Sequence, residues 1–250
     1  MKIAVTGKGG SGKTTVAAGL ALLYSRENKS VLAVDCDPDI NLGVALDFPS
    51  PQDIVPISQM KELIAERTES DPERPTGYFK LNPKVDDIPE KFSAHKDNIR
   101  LLVMGKVKKA SGGCLCPENT FIKNLLNHLI ITRKDVVILD MVAGSEHLGR
   151  GTANSVDAFL IVTEPTLLGV NTGLHIKSLA KELGIKKIFF IGNKINNKAD
   201  VDFLKHNLKE DMLGLISFNK HILEGRGKFV FDENFTREFQ VIHDELSRRL

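Results

Sequence analysis

Residues Gly7-Lys8-Gly9-Gly10-Ser11-Gly12-Lys13-Thr14 carry the spacing G-x-x-x-x-G-K-[ST] of a phosphate loop. An apolar strand precedes them and a helical pattern follows. Glycines let the backbone turn tightly, so the amides of Gly9, Gly10, Ser11, Gly12, Lys13, Thr14 and Thr15 converge on phosphate oxygens at the positive end of a helix. Lys13 reaches the β- and γ-phosphates of ATP, and the Thr14 hydroxyl faces Mg²⁺. Lys8 is a second lysine in a loop that needs one, and its spacing also fits a solvated surface residue.

Two acidic strand ends point at the same crevice. Val34-Asp35-Cys36-Asp37-Pro38-Asp39 closes one apolar run, and Val136–Asp140 ends another. Carboxylates at the carboxyl ends of parallel strands face the ligand. Asp140 is expected to hold Mg²⁺ through water, Asp35 to support that shell, and an acid of the first cluster to orient or deprotonate an attacking water. Gly144 follows as a candidate γ-phosphate amide, and His147 reads as an exposed helical residue.

A third stretch is Gly112-Gly113-Cys114-Leu115-Cys116-Pro117. In extended chain the two sulfurs project to one face. Pro117 suits the first position of a helix, which puts Cys116 at the positive end where thiolate is favoured. Two thiolates fill half of a four-ligand shell for Ni²⁺ or Zn²⁺. A twofold axis would supply the other half, so the pair argues for a homodimer. Cys36 reads instead as a buried thiol.

These residues need a scaffold. Ile3–Val5, Val31–Val34, Ile99–Val103, Val136–Leu139, Ala158–Val162, Ile188–Ile191 and Leu213–Ile216 read as strands buried on both faces, alternating with helical patterns such as Val16, Leu20, Leu23, Tyr24 and Phe121, Leu125, Leu129. The expected class is α/β: one domain over 1–250, with a mostly parallel sheet and helices on both faces. Residues 49–98, rich in proline and charge, read as an irregular insertion with one helix near Ser58–Thr68. Residues 232–250 read as an amphipathic helix with Phe235, Phe239, Ile242 and Leu246 on one stripe. Its polar face mixes acids and bases, which favours packing on the sheet over a membrane. With 34 basic and 32 acidic residues in 250, the charge balance opposes a nucleic-acid binder. No apolar run is long enough to span a bilayer, and three cysteines oppose a disulfide scaffold. A cytoplasmic protein is expected, partnered by neither membrane nor nucleic acid.

The loop GKGGSGKTT resembles the deviant Walker A of the dimeric ATPases that include Min and partition proteins, the nitrogenase iron protein and metal-centre maturation ATPases. That likeness implies the P-loop NTPase fold and sends Lys8 across a dimer interface to the partner's phosphates. It gives the water-positioning role to Asp37, through D-x-D-P, and an adenine contact to Asn193. Together with DCDPD, Leu81-Asn82-Pro83-Lys84-Val85, GGCLCPEN, DMVAGSEHLGRGTA and TGLHIKSLAKELGIKK, it narrows to the CooC-type accessory ATPases of carbon monoxide dehydrogenase. The resemblance implies ATP-driven nickel insertion into apo carbon monoxide dehydrogenase or acetyl-CoA synthase by a homodimer that holds metal at Cys114 and Cys116. An Fe–S carrier like the nitrogenase iron protein and a positioning ATPase are the rival readings. Two departures stand out: Val142 where the family pattern has glycine, and Ser217 where it has proline.

Overall fold

The computed structural model describes residues 1–37, 41–71, 78–105, 116–132, 135–142, 155–220, 222 and 232–250. Eight strands form one sheet: β1 (Lys2–Gly7), β2 (Val31–Asp35), β3 (Ala94–Lys96), β4 (Ile99–Val103), β5 (Val136–Asp140), β6 (Ala158–Thr163), β7 (Ile188–Ile195) and β8 (Met212–Ser217). Their order is β3-β4-β2-β5-β1-β6-β7-β8. Every pairing is parallel except β3 against β4. All seven expected strands are present. β3 was not foreseen, because Ala94-His95-Lys96 is neither apolar nor long enough to alternate visibly.

The helices among the described residues are α1 (Lys13–Arg26), α2 (Leu42–Ala45), α3 (Lys61–Thr68), α4 (Ile88–Phe92), α5 (Pro117–Thr132), α6 (Leu167–Glu182), α7 (Lys198–Leu208) and α8 (Glu233–Arg249). Neighbouring strand residues point to opposite faces, and both faces are covered. Leu32, Val34, Val137 and Leu139 pack with Phe121, Leu125 and Leu129 of α5, and with Val170 and Ile176 of α6. Val31, Ala33, Val136 and Ile138 pack with Val16 and Leu20 of α1, and with Phe235, Phe239, Ile242 and Leu246 of α8. This two-sided burial is why the strands read as continuous apolar runs.

The 49–98 stretch holds more order than its composition suggests. A 3₁₀ turn, Ile57–Gln59, precedes α3, and α4 and β3 follow. Arg67 of α3 donates two hydrogen bonds to Asp87, at 3.0 and 2.9 Å, fastening α3 to the start of α4. No helix among the described residues is long and apolar enough to cross a membrane.

Candidate nucleotide site

β1 runs into the glycine loop at the carboxyl rim of the sheet, and α1 begins at Lys13. Two glycines are demanded by close approach. A Cβ on Gly7 would stand 2.4 Å from the Val162 carbonyl oxygen of β6. Gly12 has φ +94°, and a Cβ there would stand 2.1 Å from Asn193 Nδ2. That Nδ2 donates to the Ser11 carbonyl at 2.8 Å, so Asn193, 5% exposed at the end of β7, is a strut of the loop. One Nδ2 hydrogen is used inward, which leaves the second hydrogen and the amide oxygen for a ligand. Lys194 Nζ donates to the Gly10 carbonyl at 2.6 Å and to Glu164 Oε1 at 2.5 Å. Lys8 turns to the same carboxylate, 3.7 Å from Oε2.

The magnesium side is built by adjacent parallel strands. β2 and β5 pair Asp35 with Asp140 in register, and Cys36 N donates to the Asp140 carbonyl at 2.9 Å. Thr14 Oγ1 donates to Asp140 Oδ2 at 2.6 Å. Asp140 Oδ1 is buried and has no hydrogen-bond partner among the described residues. Burial, with the charges of Asp35 and Asp37 adding to it, pushes the Asp140 carboxyl up to about 7, against the opposing pull of the Thr14 hydrogen bond and Lys13. A hydroxyl beside an unpartnered carboxylate oxygen is a hard-oxygen set that fits Mg²⁺.

Asp35 has a task in the backbone beside the Mg²⁺-shell role expected of it. Its Oδ1 accepts from the Asp37 amide at 3.0 Å and its Oδ2 from the Leu42 amide at 2.9 Å. Both oxygens thus pin the ends of the loop after β2, and toward a cation Asp35 adds neighbouring charge. Asp37, half-buried, stands within that pinned loop. Thr6 Oγ1 donates to the Val142 carbonyl at 3.0 Å, tying Val142 back to β1.

A cavity of about 310 Å³ lies beside the loop, lined by Gly12, Thr15, Asn193, Ser217, Phe218 and Phe235. Ser217, where the resemblance leads one to expect proline, has an N–H and a hydroxyl that proline lacks. Both are taken up by Glu238 of α8: the amide donates to Oε2 at 3.1 Å and the hydroxyl to Oε1 at 2.6 Å. The departure is absorbed by a tie between β8 and the C-terminal helix.

Cys116 precedes α5. Its carbonyl accepts from the Thr120 amide at 3.0 Å, and its sulfur accepts from the Asn119 amide at 3.5 Å. This is the cap geometry expected of a sulfur at a helix's positive end. Cys114, Pro38, Asp39, Gly144 and His147 lie outside the described residues. Cys36 is buried, and burial with the charges of Asp35, Asp140 and Asp37 pushes its thiol well up.

Glu164 and Lys194 were missed in the sequence. Glu164 directly follows β6 and Lys194 lies near the end of β7, so the rule that marked Asp35 and Asp140 applies to them too.

A strand, a glycine loop, a helix and a Thr14–Asp140 pair on the rim of a doubly wound parallel sheet define a phosphate-loop nucleoside triphosphatase. Residues 2–228 match the profile of the CobQ/CobB/MinD/ParA nucleotide binding domain, and the chain belongs to that family of ATPases. It is 45% identical over 225 residues to the carbon monoxide dehydrogenase accessory protein CooC of Rhodospirillum rubrum, covering 89% of this chain and 85% of that protein. The fold is shared with a Borrelia burgdorferi plasmid partition protein bound to AMPPNP, at TM-score 0.68, 17% identity and 100% and 99% coverage. It is shared too with the septum site-determining protein MinD of Pyrococcus horikoshii complexed with Mg-ADP, at TM-score 0.65, 20% identity and 99% and 95% coverage.

Proposed function

We propose that this chain is a homodimeric, Mg²⁺-dependent ATPase of the cytoplasm that loads nickel into an apo Ni-Fe-S enzyme, carbon monoxide dehydrogenase first among the candidates. The observation that carries the reading is the 45% identity to CooC over most of both chains, joined to the Cys-x-Cys-Pro sequence at the head of α5. Acetyl-CoA synthase is the alternative client.

ATP seats its phosphates on the Gly9–Thr15 amides and its base in the cavity between Asn193 and Phe218. Thr14 and, through water, Asp140 would hold Mg²⁺, which would supply charge neutralisation to the phosphates. Asp37 accepts the proton of the attacking water as its oxygen bonds to the γ-phosphorus, and the β–γ bridging oxygen leaves with ADP. Lys13 from the same protomer and Lys8 from the second balance the transferring charge. Cys114 and Cys116 of two protomers carry the nickel as cargo, and opening of the dimer after hydrolysis releases it.

The test is metal content across the dimer peak in sedimentation, with ATP analogue and Ni²⁺ present. About one Ni²⁺ per two chains is expected, lost in Cys114→Ala and in Cys116→Ala. Unchanged stoichiometry in both variants removes the nickel site. The visible absorption of an iron–sulfur cluster in anaerobic protein would shift the reading to a cluster carrier.

A further inference from the structure

We propose that Glu164 is a brake on dimer formation, one that holds Lys8 within its own protomer until a second nucleotide-loaded copy offers its phosphates. The inference rests on the homodimer reading above and adds a residue to it.

Glu164 follows β6, and the pairing of Gly7 with Val162 brings the residue after Gly7 alongside it. Gly7 has no room for a side chain against the Val162 carbonyl, so the start of the loop lies flat on the end of β6. Lys8, with its side chain 34% exposed, therefore reaches Glu164, whose side chain is 17% exposed. The carboxylate divides its oxygens: Oε2 faces Lys8 and Oε1 holds Lys194, which also grips the Gly10 carbonyl.

This division sets the chemistry. On the homodimer reading Lys8 extends to a partner's phosphate, so Glu164 and that phosphate compete for one ammonium and association works against the pair. When Lys8 departs, Glu164 keeps Lys194 as its counterion and no enclosed carboxylate is stranded. Losing the second cation therefore costs little compared with orphaning a buried charge. The pair is long and partly wetted, which sets its strength in the range of exposed ion pairs. Lys8 is thereby kept off the phosphates of its own protomer yet freed readily by another's.

The dimer dissociation constant, measured by sedimentation with AMPPNP, tests this. Glu164→Gln keeps the side-chain shape and removes the competing charge. It is expected to tighten the dimer about two- to fivefold, and at least as large a tightening is expected in a Lys194→Met background, because the effect runs through Lys8 and Glu164 there has no second counterion. Glu164→Ala, which also removes the carbonyl oxygen, should tighten it in the same direction. A wild-type dimer whose constant is unchanged or weakened by Glu164→Gln overturns the role of Glu164 alone. Tightening that vanishes in Lys194→Met also overturns it, by assigning the effect to the Lys194–Gly10 contact. Wild-type protein that stays monomeric with AMPPNP overturns the homodimer reading itself and this inference with it.

Discussion

Asn193 and Asp140 show how single side chains set the nucleotide site. The Asn193 amide fixes the loop from outside, through Ser11. Asn193→Ala leaves the Ser11 carbonyl without that donor, at a cost of about 1–3 kcal/mol, so ATP should bind roughly 5- to 150-fold more weakly by calorimetry. Asp140 carries its carboxyl near 7 rather than 3.8. Between those values the folded chain keeps a proton that the unfolded chain has lost. Stability of the nucleotide-free protein therefore falls as pH rises through that window, and Asp140→Asn should flatten the slope in denaturant melts. The same proton must leave for Mg²⁺ to enter. Calorimetry in buffers of different ionisation enthalpy should find about one proton released per Mg²⁺ at pH 6 and almost none above pH 8. Asp140→Asn should abolish that release.

At the scale of elements, α8 is the organiser on one side of the sheet. Phe239 rests directly on Gly19 of α1, where an added Cβ would stand 2.2 Å from the ring, and Glu238 of the same helix holds Ser217. Gly19→Ala should overpack that contact by about 1–3 kcal/mol and lower the thermal midpoint by roughly 2–12 °C. Much of this was legible. Continuous apolar runs marked the seven long strands, and the stripe Phe235, Phe239, Ile242, Leu246 marked the buried face of α8, because burial on a sheet writes itself into residue type. The tie from Ser217 to Glu238 joins positions 21 apart through side chains with no spacing rule, so only the structure reveals it. The Asp35 anchor was hidden for a related reason: its acceptors' work is on backbone amides, which every sequence contains. The Lys8 ion pair was missed because Glu164 lies 156 residues downstream and meets the loop only through strand pairing.

For the whole molecule, the loop, Asp140, Glu164 and the cavity share one rim, and the expected second copy must approach there. Gly9 gives a direct probe. It is exposed, and a Cβ built on it meets nothing within 4 Å in the lone protomer. Gly9→Val should leave the thermal midpoint of the nucleotide-free monomer unchanged and weaken the AMPPNP-dependent dimer roughly tenfold or more, read by sedimentation. The far border of the sheet points the same way. β3 has three residues and runs against its neighbour. So short a stretch offers an incoming chain little ladder to extend, which closes that border to end-to-end polymer growth. The proposed dimer would instead be a face-to-face, self-limiting contact, in which two-fold closure would use up the rim of both copies at once.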